Sequence, residues 1–289
     1  MQTSYDKSSG FTIVEIAVVV TVISLLTGVV LQTLGGFYND NVISLGKTSQ
    51  DTNTRGVLRS IEKEIMDSGG FVTDAAVAKP LGRDDGTSWS YRGNDPSLPG
   101  YDAGQKTNRV LMATTTATDK AATDDKRLPV FIDSGSGCDF SVSPIAQNLL
   151  VYFVAKNTTT GKYDLYRRTI TNYTGGTLCN CATLNPNPSG CKTPYQSETC
   201  SNAALKSGTY SGTCKLADAD LLRDIDSFTV DYYTSPETST PIVNEYNGTT
   251  ATKNLIKAAK AIKITVGTDD FINGKHVLNT ATIRISLGN

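Results

Sequence analysis

Apolar residues are concentrated in one stretch of the chain and are diluted by polar residues elsewhere. From Phe11 to Leu31, 21 consecutive residues carry a single charged side chain, Glu15. An α-helix rises about 1.5 Å per residue, so this stretch predicts a helix about 30 Å long, which matches the hydrocarbon core of a bilayer. The stretch is therefore a candidate membrane-spanning helix.

Three interpretations of this stretch compete. A secretory signal peptide has an apolar region of about 7–15 residues and a small-residue cleavage site, whereas this stretch is longer and no Ala-x-Ala follows it. An ordinary membrane anchor fits the length, but a carboxylate such as Glu15 is costly inside lipid and usually has a function there. The third interpretation is a polar leader, residues 1–10, removed by cleavage between Gly10 and Phe11.

The motif Gly-Phe-Thr-Ile-Val-Glu at residues 10–15, followed by an apolar helix, resembles the prepilin-peptidase signal of type IV pilins and pseudopilins. The resemblance implies that Gly10 is the cleavage residue and that Phe11 becomes the methylated N-terminus. It also implies that Glu15 acts in filament assembly. A buried carboxylate requires a partner, and the α-amino group of Phe11 in a neighbouring subunit would supply one. The family usually has Lys or Arg directly before the glycine, whereas two serines precede it here.

A second helical pattern follows the apolar stretch. Its apolar positions share one helical face: Val57, Leu58, Ile61 and Ile65. Its charged positions lie mostly off that face: Arg55, Arg59, Glu62, Lys63 and Glu64. Gly69 and Gly70 predict the end of the helix. We therefore expect a helix from about residue 12 to about residue 68, with a sheet covering the apolar face of its second half.

The remaining residues alternate between loop-like segments and short β-prone segments. Strands are predicted at residues 110–114, 128–132, 148–156, 163–171 and 225–233. Residues 261–266 and 276–287 predict a final hairpin, joined through residues 269–274. The expected fold class is α+β: a long N-terminal helix, membrane-spanning in its first half, packed on an antiparallel β-sheet head.

Three segments of the head resemble J-type minor pseudopilins and related minor pilins. They are the strand pair at residues 149–153 and 165–168, the segment 221–233, and the terminal pair at 261–266 and 282–287. Their order along the chain carries the resemblance. Together with the motif at residues 10–15, this resemblance implies a leader peptide at 1–10, a transmembrane and stem helix at 11–68, and a β-rich globular head at 69–289.

Six cysteines follow the apolar stretch: Cys138, Cys179, Cys181, Cys191, Cys200 and Cys214. Five of them lie in a loop, residues 172–217, that has few apolar residues to form a core. A head outside the cytoplasm permits disulfides, and six cysteines allow 15 pairings. A zinc site is the alternative, but the spacing lacks paired Cys-x-x-Cys units and no histidine is close. Disulfides are therefore the favoured prediction.

Composition and charge restrict the function classes. The 27 Lys and Arg residues nearly balance the 28 Asp and Glu residues, which argues against a protein that mainly coats nucleic acid. His276 is the single histidine. The sequence contains no phosphate-binding glycine loop after a strand and no Gly-x-Ser-x-Gly elbow. We therefore expect no enzymatic activity and no metal centre.

Two charged clusters offer weaker alternatives. A run of basic residues suits DNA phosphates or anionic lipid, although a solvated surface is the favoured interpretation: Lys253, Lys257, Lys260 and Lys263. A cluster of carboxylates suits calcium, but its spacing misses the EF-hand loop: Asp218, Asp220, Asp224 and Asp226. No cofactor is predicted, and calcium is the one alternative.

Together these features predict a minor pilin or pseudopilin. We expect a structural subunit of a type IV pilus or of a type II secretion pseudopilus, acting at the filament tip or in assembly initiation. The expected partners are other pilins, the prepilin peptidase, the inner-membrane assembly platform and membrane lipid. The expected location is the cytoplasmic membrane, with the head outside the cytoplasm, and later the filament. The alternatives are an adhesin or DNA-binding head on such a filament and a surface protein on an ordinary anchor.

Overall fold

The computed structural model describes part of the chain as one long helix with antiparallel sheets. The described residues are 12–75, 89–90, 110–121, 123–133, 138, 143–156, 160, 162–172, 177–179, 194–195, 199, 218–242 and 250–287. Within them the expected α+β class is confirmed.

The first helix, α1, runs without interruption over Ile13–Met66. Its 54 residues span about 80 Å. The helix begins at a capping box, in which Thr12 and Glu15 satisfy each other's backbone N–H groups. It ends at Met66, with Asp67 as its C-cap, just before the glycine pair of the predicted stop. The two helical patterns of the sequence therefore belong to one continuous element.

The larger sheet has five antiparallel strands. In their order across the sheet they are β1 (Ser68–Phe71), β4 (Leu111–Thr116), β6 (Gln147–Lys156), β7 (Tyr163–Asn172) and β9 (Ala219–Leu222). The central pair β6 and β7 is in register from Gln147↔Asn172 to Lys156↔Tyr163. Both central strands were expected, the first from its run of β-prone apolar residues and the second as its return after a turn, and each differs from its predicted bounds by a single residue at one end.

The smaller main sheet has three antiparallel strands. In their order across the sheet they are β10 (Ile225–Tyr233), β11 (Ala261–Ile272) and β12 (Lys275–Ser286). A short helix, α2 (Thr250–Lys257), precedes β11. The final hairpin is longer than expected. Its turn is confined to Asn273 and Gly274, both with positive φ, as a two-residue Asn-Gly hairpin turn requires. The polar residues before this turn belong to β11 and not to the connection.

Two short sheets complete the described part: β2 (Asp74–Ala75) with β3 (Trp89–Ser90), and β5 (Ile132–Asp133) with β8 (Thr177–Leu178). The strand expected at residues 128–132 is therefore wrong in extent. That segment makes only isolated bridges at Pro129 and Phe131 before β5 begins. Backbone hydrogen bonds join this segment to three different parts of the chain, at Ala117, Pro144 and Cys179. No single neighbouring strand therefore pairs with it along its whole length.

The main core lies between α1 and the two larger sheets. Leu58, Ile61 and Ile65 of α1 are buried, as the helical spacing predicted. They join the inner faces of both sheets, where the largest buried side chains include Tyr152, Phe153, Phe228 and Tyr232. Burial of the apolar face of α1 thus fixes the second half of the helix to the head.

The chain passes from one large sheet to the other through a sharp bend at Arg223 and Asp224. Asp224 has a φ of 57°, a conformation that Asp tolerates better than most residues. Its backbone N–H donates to Oδ1 of Asp164 at 3.2 Å, and its carbonyl accepts from the N–H of Asp269 at 2.9 Å. The bend therefore joins β7, β9, β10 and β11.

Candidate functional site

The first half of α1 presents an apolar surface to its surroundings. Its large apolar side chains from Ile13 to Leu34 are between 48% and 87% exposed. These 22 positions extend about 33 Å along the helix axis. Among the described residues, α1 is the one helix long and apolar enough to cross a membrane. A surface of this size in water strongly favours transfer into lipid or into contact with other helices.

Glu15 lies at the start of this apolar surface and is bonded to its own helix terminus. Its Oε2 accepts hydrogen bonds from the backbone N–H and the hydroxyl of Thr12, both at 2.9 Å. The Glu15 N–H donates to Oγ1 of Thr12 at 3.3 Å. An ionised carboxylate has about four acceptor positions, so this cap leaves room for a cationic partner. The Thr-x-x-Glu spacing is a capping signal that our sequence analysis did not use.

The predicted processing residues Gly10 and Phe11 lie outside the described residues. Their roles remain predictions from the motif. The described part begins at Thr12, in the extended conformation of a helix N-cap, so the regular helix starts two residues after the predicted cleavage point.

An ionic cluster joins the end of α1 to the middle of the larger sheet. Glu64 accepts from Nη1 of Arg167 on β7 and from the phenolic hydroxyl of Tyr152 on β6. The Glu64 and Arg167 side chains are 6% and 16% exposed, and Tyr152 is fully buried. We call these three residues the stem–head cluster. The sequence pattern placed Glu64 off the buried face, but in the structure Glu64 is buried. Its burial is possible because Tyr152 and Arg167 supply its polar partners.

The stem–head cluster changes the acidity of its members. Burial, followed by the negative charge of Glu64, raises the pKa of Tyr152 well above its ordinary value. Burial opposes the positive charge of Arg167, but Glu64 and Tyr152 outweigh that effect and raise the arginine pKa. Tyr152 therefore keeps its proton and donates a hydrogen bond to Glu64, while Arg167 stays charged.

A second buried ion pair lies next to this cluster along β7. Nε of Arg168 is 2.9 Å from Oδ1 of Asp218, and their side chains are 2% and 1% exposed. Successive side chains of a strand point to opposite faces, so Arg167 and Arg168 serve different sides of the larger sheet. The paired arginines of the sequence thus hold α1 on one side and the segment before β9 on the other.

The acidic residues considered for calcium are engaged in separate contacts. Asp218 pairs with Arg168, Asp220 with Arg223 at 3.1 Å, and Asp224 with Lys162 at 2.8 Å. In the part of the chain that the structure describes, no group of three or more His, Cys, Asp or Glu side chains is arranged to hold a metal ion. These three carboxylates therefore serve ion pairs of the fold.

The lysine run is divided among three elements. Lys253 and Lys257 lie on α2, Lys260 lies in the connection, and Lys263 lies on β11. Nζ of Lys263 is 3.3 Å from a carboxylate oxygen of Asp231 on the neighbouring strand. Part of the positive charge expected for a phosphate contact is therefore neutralised by the head itself.

One disulfide is described, between Cys138 and Cys179, whose Cα atoms are 5.8 Å apart. Cys179 directly follows β8, which pairs with β5, and its N–H donates to the carbonyl of Phe131. The bond lies beside a second small core of Ala117, Val130, Ile132 and Ala146. The other four predicted disulfide candidates lie outside the described residues: Cys181, Cys191, Cys200 and Cys214.

Two open clefts lie where α1 meets the head. One, of about 460 Å³, is bordered by Lys63, Thr115 and Ile145 and contains the ion pair between Asp67 and Arg127. The other, of about 520 Å³, lies between α1 and the bend of the chain near Asp224. Both are shallow and border the attachment of the helix to the head.

Comparisons with protein-family models, with curated proteins and with solved structures find no match to this chain. The layout of a long N-terminal helix on an antiparallel sheet is compatible with a pilin-like protein, and the apolar first half of the helix is long enough for a single membrane span.

Proposed function

We propose that this protein is a minor subunit of a type IV pilus or of a secretion pseudopilus. The observation that carries the proposal is the exposed apolar half of α1, which bears one carboxylate, Glu15, and continues without a break into the folded head. Such a helix anchors the subunit in the membrane before assembly. It then packs with the helices of other subunits in the core of a filament.

Glu15 makes the transfer from lipid to filament selective. A carboxylate near the end of a membrane helix is tolerated but unfavourable. In the filament it accepts a hydrogen bond from the methylated amino group of Phe11 of a neighbouring subunit and forms an ion pair with it. That pairing forms only when subunits are in the correct axial register, because the two groups lie at fixed heights on their helices.

The stem–head cluster transmits the force of assembly. Pulling on α1 acts on the head through the buried apolar face and through Glu64, which contacts both central strands. A subunit at the tip or in an initiating complex needs this rigid attachment, because its head is displaced while its helix is still leaving the bilayer. The lysine run supports a DNA-binding head less well, because Lys263 is paired with Asp231.

Mass spectrometry of the chain purified from its native membrane tests the processing step. We expect a mature N-terminus at methylated Phe11. A chain that retains Met1 would instead identify an ordinary membrane anchor.

Replacement of Glu15 tests the assembly step. We expect Glu15→Gln to remain inserted in the membrane but to be absent from filaments. Glu62→Gln is the matched control on the same helix, and we expect normal incorporation. Normal incorporation of the Glu15→Gln chain would contradict the proposed role.

A further inference from the structure

The hairpin of β11 and β12 lies along α1, and its turn is close to the apolar half of the helix. Nδ2 of Asn273 in the turn donates to Oδ1 of Asn39 on α1 at 2.6 Å. One residue earlier, the side chain of Ile272 lies against the position of Gly46. These two contacts fix the height of the turn on the helix.

That height corresponds to the surface of a membrane. Asn39 follows Leu34, the last residue of the exposed aliphatic surface that begins at Ile13, by five positions, which is about 8 Å along the helix. The polar layer on each side of the hydrocarbon core is roughly 5–8 Å thick. With the apolar half of α1 in the bilayer, the turn therefore reaches the outer part of the headgroup layer. A typical tilt of about 20° brings it closer when the helix leans toward the hairpin.

The chemistry around the turn suits a phospholipid surface. Lys275 is exposed and follows the turn directly, and a lysine ammonium group extends readily toward lipid phosphate. Phe271 is 59% exposed, and its ring packs edge-on against His276 with centroids 5.2 Å apart. On α1, Phe37 and Tyr38 are exposed at the same boundary, where aromatic side chains are enriched in membrane proteins.

The carboxylates near the turn lower its net positive charge, so the contact does not require anionic lipid. Asp269 is 3.0 Å from Nδ1 of His276, Asp270 is the next residue of β11, and Asp40 follows Asn39 on α1. These acids offset the charge of Lys275 and of Lys47, so we expect binding to zwitterionic phospholipid as well.

We propose that the turn of the β11–β12 hairpin, with Lys275 and Phe271, is a second membrane contact that rests on phospholipid headgroups while α1 spans the bilayer. The proposal relies on the membrane anchoring in the proposed function and adds a surface of the head to it. The contact orients the head on the membrane, and it is broken when the subunit moves into a filament.

Tryptophan fluorescence in the full-length chain tests the contact. A Trp89→Phe background removes the single native tryptophan. Into it we introduce Phe271→Trp or, as the matched control on the same sheet, the exposed Thr282→Trp. Thr282 pairs with Thr265, six residues farther from the turn than Phe271, or about 20 Å along the strand. Each chain is reconstituted into phosphatidylcholine vesicles that contain phosphatidylcholine with a nitroxide-labelled headgroup.

We expect headgroup nitroxides to quench the Phe271→Trp chain at least about threefold more strongly than the Thr282→Trp chain, because only the first probe is at the lipid surface. Adding Lys275→Glu to the Phe271→Trp chain should reduce that difference. Equal quenching of the two probes in chains that float with the vesicles would overturn the hairpin contact and leave the membrane anchor standing. Chains that fail to float with vesicles would instead overturn the anchor, and the hairpin contact with it.

Discussion

Glu64 of the stem helix and Arg167 of the central sheet form a largely buried ion pair, and the Tyr152 hydroxyl donates to the same carboxylate. The pair links two parts of the chain that are 103 residues apart. The buried Nε of Arg167 has no hydrogen-bond partner among the described residues. Loss of Glu64 would therefore leave a charged guanidinium group buried with few partners.

Removal of the Glu64 charge should destabilise the attachment of the helix to the head. Breaking one side of a buried ion pair typically costs about 3–5 kcal/mol. We expect Glu64→Gln to lower the free energy of unfolding toward that range, whereas Glu62→Gln should change it by less than about 0.5 kcal/mol. Urea unfolding of the full chain in detergent, followed by near-ultraviolet circular dichroism, measures both. Equal stability of the two variants would show that the pair contributes little.

The raised pKa of Tyr152 predicts that the protein loses stability at alkaline pH. Its pKa is raised in the folded protein, first by burial and then by Glu64. Above about pH 10 the unfolded tyrosine loses its proton while the folded one retains it, so the unfolded state binds fewer protons. The free energy of unfolding should therefore fall as pH rises above about 10, and it should be unaffected by this group at lower pH.

Comparison with Tyr152→Phe isolates this effect from the other tyrosines. We expect the variant to be less stable by about 1.5–3 kcal/mol at pH 8, because a hydrogen bond to a charged partner is lost. Its stability should fall less than that of the unmodified chain between pH 9 and pH 11. Parallel pH profiles of the two chains, measured by urea unfolding, would contradict the prediction.

The disulfide between Cys138 and Cys179 should stabilise the second small core. The bonded residues are 41 positions apart, and closing a loop of that length contributes about 4 kcal/mol in the chain-entropy model, with typical measured values of about 2–4 kcal/mol. We expect the double variant Cys138→Ala/Cys179→Ala to lose stability in this range. Amide hydrogen exchange should accelerate at Val130 and Ile132 more than at Val151 on β6.

Uniform loss of protection across the head would show instead that the disulfide supports the whole fold. Protection unchanged at Val130 and Ile132 would show that hydrogen bonds and packing alone hold the small core.

Alanine substitutions at two glycines of α1 should differ in their effect on stability, because the two positions differ in packing. A methyl group at Gly56 meets no heavy atom within 4 Å, whereas one at Gly46 meets the end of the Ile272 side chain. We expect Gly56→Ala to stabilise the protein by about 0.5–1 kcal/mol through its higher helix propensity. Gly46→Ala should gain less, because Ile272 must move. A larger gain for Gly46→Ala in urea unfolding would contradict the close approach of the hairpin to the helix.

Local patterns accounted for the elements but not for all of their polar partners. The spacing of Leu58, Ile61 and Ile65 correctly predicted the buried face of α1, because helical geometry relates neighbouring turns directly. The same spacing placed Glu64 outside that face. Its burial depends on Arg167 and Tyr152, which are remote in sequence, and no local rule specifies that they converge. The Asn-Gly turn at residues 273–274, by contrast, carries a local signal that the sequence analysis did not use.

The amino-acid sequence by itself determined the apolar helix with its single carboxylate, the α+β class and the central strands. These features follow from the periodicity of apolar residues and from the cost of exposing apolar groups to water. Both can be read from residues that are close together in the sequence. Only the tertiary structure decided the stem–head cluster, the pairing of Cys138 with Cys179, and the contact between Asn39 and Asn273. Each brings together groups far apart in the chain, and their proximity depends on the packing of α1 against both large sheets.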